Sequence, residues 1–111
     1  MSCNTAEYDI CVDQGATLSL PVTITGIDLT GATAKMQIRD SVTSSSVVLE
    51  LNTENGKIII DNQTVNLYFS ATDTASFTKQ YVYDLFVITS DENKYKVLKG
   101  NVGIDLSVTR W

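Results

Sequence analysis

The 111 residues carry 13 acidic and 8 basic side chains, a net charge of −5, and no histidine. That length fits a single domain, residues 1–111, and its 32 Leu, Ile, Val and Phe residues suffice for a core without metal or disulfide staples. The acidic balance argues against nucleic acid as a partner, no apolar run is long enough for a membrane-spanning helix, and the missing histidine removes His-dependent triads and His-ligated zinc.

In chain order, the N-terminal residues, Cys3 among them, lack the basic and apolar regions of a secretory signal, so synthesis in a cytoplasm is expected. Cys3 and Cys11 are eight apart, which suits neither a CxxC pair nor a zinc knuckle, and both are expected as free thiols. Tyr8, Ile10 and Val12 alternate with Asp9 and Cys11 and predict a first short strand, closed by Gln14-Gly15. Leu18, Leu20, Val22 and Ile24 alternate with polar residues and with Pro21, which predicts a strand at an edge or beside a bulge, because Pro cannot donate a ladder hydrogen bond. Residues 26–31 form a loop in which Ile27 and Leu29 are expected to plug one end of the core.

Ala34, Met36 and Ile38 alternate with Lys35, Gln37 and Arg39, the period of a strand and not of a helix. Residues 40–46 read as a polar, mobile hairpin tip. Val47, Leu49 and Leu51 return as a strand, and Asn55-Gly56 marks a turn suited to positive φ. Ile58 to Ile60 follow, then a turn at Asp61-Asn62, then the alternating Val65, Leu67 and Phe69. Asn62-Gln63-Thr64 matches a glycosylation sequon but is read as a turn.

One short helical turn is predicted near residues 71–77, with Ser70 as N-cap and Asp73 in its first turn. Residues 81–88 are apolar and aromatic except for Asp84, the mark of a central strand partly covered on both faces. After the turn at Asp91-Glu92-Asn93, residues 95–104 form the last long strand, with Leu98, Gly100, Val102 and Ile104 on one face. Residues 106–111 trail off or pair at an edge. Seven or eight short strands with regular turn signals predict an all-β fold, an immunoglobulin-like antiparallel β-sandwich.

No catalytic motif emerges. Asp61-Asn62 and Asp91-Glu92-Asn93 carry oxygen ligands of the kind calcium takes, but Asp and Asn are also ordinary turn residues. Asp84 stands alone, without a catalytic partner, and is read as facing an edge or accepting hydrogen bonds. Tyr81 and Tyr83 share a strand face and offer either core packing or a sugar-binding platform. Lys94, Lys96 and Lys99 are read as charges that protect an edge strand.

The order of phrases carries more than any one of them. Gln14-Gly15-Ala16-Thr17 precedes Asp28-Leu29-Thr30-Gly31 and Ala34-Lys35-Met36-Gln37-Ile38-Arg39-Asp40. Leu49-Glu50-Leu51, Glu54-Asn55-Gly56-Lys57-Ile58 and Ala71-Thr72-Asp73-Thr74-Ala75 come next, before Tyr81-Val82-Tyr83-Asp84-Leu85, Leu98-Lys99-Gly100-Asn101-Val102 and Val108-Thr109-Arg110. This succession resembles the small immunoglobulin-like virion proteins of tailed bacteriophages and, more distantly, the N-terminal domain of baseplate upper proteins.

The resemblance implies a non-enzymatic structural protein without a cofactor, made in the bacterial host cytoplasm and located in the virion. Its partners would be other virion proteins of the tail, baseplate, fibre or capsid, contacted in multiple copies. The sequence shows no helical linker or receptor-binding domain, so an adaptor of the tail, baseplate or tail-fibre region is expected. A capsid decoration protein is the first alternative, and a carbohydrate-binding module using Tyr81, Tyr83 or Trp111 the second. Expected partner contacts are the first strand, Asp40, Ser44, Ser45 and Ser46 at the hairpin tip, and Arg110 and Trp111 at the tail. Docking is expected at edges and loop ends, on a neutral or basic partner surface.

Overall fold

The structure is a computed structural model and describes residues 6–109. Nine strands and one short helix follow in the order β1 (Ala6–Glu7), β2 (Ile10–Asp13), β3 (Leu18–Thr23), β4 (Thr33–Arg39), β5 (Leu49–Asn52), β6 (Ile58–Asp61), β7 (Thr64–Phe69), α1 (Ala71–Ala75), β8 (Tyr81–Ile88) and β9 (Lys94–Asp105). They form two sheets. The larger runs β9-β8-β4-β5, with β1 and β2 both on the free side of β9, and the smaller runs β3-β7-β6. This is the strand order of an immunoglobulin-type sandwich, with β3, β7 and β6 in the places of strands B, E and D and β9, β8, β4 and β5 in those of G, F, C and C′.

Two details differ from the sequence reading. The first strand, expected to begin at Tyr8, starts instead at Ala6 and is interrupted at Tyr8-Asp9, where Tyr8 is exposed and not on the inward phase. The interruption raises the count to nine among the described residues. The two halves of this strand run parallel to β9, so the larger sheet is mixed and not wholly antiparallel. The long β9, 12 residues, is therefore paired on both sides at Leu98, Lys99 and Val102, whereas its first residues pair with β8 alone and residues 103–105 with β2 alone among the described residues.

The core fills the space between the sheets as the alternation predicts. β8 alternates buried and half-buried residues without a break, with Tyr81, Tyr83, Leu85 and Val87 facing inward. Met36 and Ile38 from β4 and Leu67 and Phe69 from β7 are fully buried. Leu18, Leu20 and Val22 point the same way but stay half-buried, because β3 is an edge strand with β7 on one side only. Pro21 sits in that edge strand opposite Asn66, as its missing N–H requires. Ile24 and Leu29 are buried in and beside the connection to β4, where the Gln63 amide donates to the carbonyls of Ile24 at 2.9 Å and Ile27 at 2.7 Å. Gln63 can reach them because it lies with Asn62, at φ 56°, in the two-residue turn between β6 and β7.

The helix exists because its ends are satisfied locally. The Ser70 hydroxyl accepts from the Asp73 N–H and the Asp73 carboxylate accepts from the Ser70 N–H, each at 3.1 Å, a reciprocal capping box. Buried Thr74 donates its hydroxyl to the Ala16 carbonyl at 2.8 Å, and Phe77 packs its ring 5.3 Å from that of Tyr81. Partial burial pushes the Asp73 carboxyl up, but hydrogen bonds from Lys57 and Ser70 outweigh it and hold the group below its ordinary value.

Two outcomes follow. Ile38→Ala, at a fully buried site, is expected to cost about 2–5 kcal/mol in chemical denaturation, and Leu20→Ala, on the half-buried edge strand, less than about 2 kcal/mol. Equal costs would put the strands in the wrong phase. For Asp73, a folded-state pKa below 3.8 contributes stability that is present above that value and is lost as the pH falls through the depressed one. Melting temperatures of wild type and Asp73→Asn between about pH 5 and about pH 2 should therefore converge on acidification.

Candidate interaction face on the larger sheet

The outward phase of β8 reads Val82, Asp84, Phe86 and Ile88, so three of its four residues are apolar on the side that no second sheet covers. Cross-strand register surrounds each of them. Phe86 lies between Lys35 of β4 and Lys96 of β9, Ile88 between Thr33 and Lys94, and Asp84 between Gln37 and Lys99. The result is an open trough of about 820 Å³ with an apolar floor and charged walls. The Lys96 ammonium lies over the Phe86 ring, 5.6 Å from its centre, and 3.7 Å from the Asp84 carboxylate. Such a pair, with both side chains about 40% exposed, is worth only about 0–1 kcal/mol to the fold.

A β-bulge assembles the cationic wall. The ladder between β8 and β9 slips between Leu85 and Phe86, pairing Leu85 with Leu98 but Phe86 with Lys96, which leaves Val97 as the extra residue. In an unbroken strand, Lys96 and Lys99 would point to opposite faces. The slip brings Lys94, Lys96 and Lys99 onto one face. Lys94 and Lys96 lie where β9 has no second neighbour among the described residues, so they stand at an open edge as the sequence reading expects, and together with Lys99 they also line the face.

Beyond this wall, on the free side of β9, the backbone of the first strand approaches closely. At the break between β1 and β2, Tyr8 donates its N–H to the Lys99 carbonyl at 2.8 Å, and its own carbonyl accepts from the Tyr83 hydroxyl. The Asp9 carboxylate accepts from the Asn101 N–H at 3.0 Å, in place of a ladder carbonyl. All this requires glycine at position 100, where a Cβ would stand 2.2 Å from the Tyr8 carbonyl oxygen. The arrangement brings Glu7 and Asp9 to the trough, with Glu7 3.7 Å from the Lys99 ammonium. Burial, with Asp9 and Tyr8 nearby, raises the Tyr83 phenol well above its ordinary value, so it stays a donor across the working pH range.

The residues singled out in the sequence fall in several places. Tyr81 and Tyr83 are only 5% and 4% exposed, and their rings belong to the core, so neither can serve as a sugar platform. Asp84 faces the trough in the middle of the sheet and not an edge. Asp40, Ser44, Ser45 and Ser46 lie in the β4–β5 connection at one end of the trough, which Ser41 and Val42 line. That tip is tied down: Arg39 donates to the Ser44 carbonyl and to Gln37 Oε1, both at 2.8 Å, and Lys79 sits 3.4 Å from Asp40. Val42 at its apex is 85% exposed. Arg110 and Trp111 lie outside the described residues, as does Cys3, whereas Cys11 is an exposed free thiol on β2. Among the described residues no three Asp, Glu or Cys side chains gather where they could hold a metal ion.

The sequence reading missed the trough, although the apolar outward phase of residues 82–88 was its signal. Compared with known proteins, the chain matches no family model and no curated protein. Gly100→Ala is expected to cost about 1–3 kcal/mol through the clash with Tyr8. It should also speed amide exchange of Tyr8 and Asn101 specifically, and unchanged exchange at both would disprove the close approach.

Proposed function

We propose that the protein is a non-enzymatic structural subunit of a tailed-phage virion, an adaptor in the tail, baseplate or tail-fibre region that works by docking other chains. The observation that carries the docking part is the half-buried apolar row on the outer face of β8, where no second sheet lies among the described residues, since a strand with apolar residues on both faces ordinarily has both faces covered. The phage assignment rests on the resemblance in the order of phrases from Gln14 to Arg110. A non-enzymatic role fits side chains already engaged in folding: Asp73 caps the helix, Asp9 completes the β9 ladder, and Tyr81 and Tyr83 fill the core. The carbohydrate-binding alternative loses two of its three aromatic candidates to burial.

The test is the copy number of this chain in purified particles of the phage that encodes it, by quantitative mass spectrometry. An adaptor is expected at tens of copies or fewer. Hundreds of copies would favour a capsid decoration protein, and absence from the particle would overturn the virion assignment.

A further inference from the structure

Five of the chain's eight cations and three of its thirteen acids line the trough. The face is thus net +2 while the remainder of the chain is net −7, a separation that the overall charge of −5 conceals. We propose that this face seats an extended, acidic segment of another virion chain, laid along β8. The inference rests on the adaptor reading and names the chemistry of its partner.

Three features specify that occupant. The floor residues Phe86 and Ile88 are two apart on one strand, about 7 Å, which matches alternate side chains of an extended chain. Lys35 and Lys94, flanking these two residues, are exposed and make no ion pair among the described residues, so carboxylates beside the partner's apolar positions have cations to meet. The same charge disfavours a second copy face to face, which would oppose two cationic walls. The acids elsewhere are dispersed, in turns such as those at Asp28, Glu54 and Asp91 and singly on strands such as Glu50 and Asp61, and form no continuous acidic strand among the described residues to lie along the row. At physiological ionic strength the screening length is about 8 Å, so a bound segment meets the local charge of the face more than the −5 of the whole.

The experiment assembles particles with wild type, Lys35→Glu/Lys94→Glu, Lys35→Arg/Lys94→Arg and the off-face control Glu54→Lys/Asp61→Lys. All are first checked for an unchanged melting temperature and sedimentation. The charge reversal is expected to lower copies per particle at least ~10-fold, while the arginine pair and the control incorporate as wild type does. Undiminished incorporation of the reversal would overturn the face and leave the adaptor reading intact. Wild-type self-association that the reversal abolishes would assign the face to a second copy and overturn the proposal. Absence of wild type from particles would overturn the adaptor reading, and this proposal with it.

Discussion

β8 is apolar on both faces, and the fold supplies a second sheet to only one of them. Everything else in the molecule follows from how that imbalance is managed. The inward residues Tyr81, Tyr83, Leu85 and Val87 belong to the buried core of the sandwich. The outward Val82, Phe86 and Ile88 are held half-buried by long charged side chains of β4 and β9, whose stems cover apolar surface while their charged ends stay in water. Lysine stems shield such a floor in the free protein and yield it to a partner at little cost, since the ion pairs around it are exposed and weak.

The second constraint is the geometry of β9, which two local irregularities make useful. The bulge at Val97 gathers lysines that a regular strand would split between faces. The contact of Tyr8 with Gly100 keeps the first strand against β9, places Asp9 where a backbone acceptor is lost, and continues the parallel pairing in the same register at β2. Bulges of this kind recur where a side chain must be re-aimed, and here several cations are re-aimed together.

The fold was legible in the sequence because its signals are local. Period-two alternation located β3, β4 and β7, a continuous apolar run located β8, Pro21 marked an edge, and Ser70 with Asp73 marked the helix start. What was not legible depends on pairing between distant segments. No local pattern around Tyr8 announces that its carbonyl will be met by Tyr83, 75 residues away, or that the strand will break there. Nor does the spacing of Lys96 and Lys99 reveal a bulge, since strict alternation assigns them to opposite faces. The candidate site was half visible for the same reason. The polar tip at residues 40–46 could be read from composition, while the trough beside it is made by three strands in register. Net charge conceals the face, because −5 is an average over a cationic face and an acidic remainder.

On the reading proposed above, the outer face of the larger sheet, more than the hairpin tip, is the surface on which assembly depends. Chemical labelling of lysines on the free protein and on intact particles tests that claim most directly. Lys35 and Lys94 should be strongly protected in particles, while Lys57, beside Asp73 and away from the trough, labels equally in both states. Equal labelling of Lys35 and Lys94 in both states, with protection confined to Lys79 beside the tip, would contradict the account and move the contact to residues 40–46.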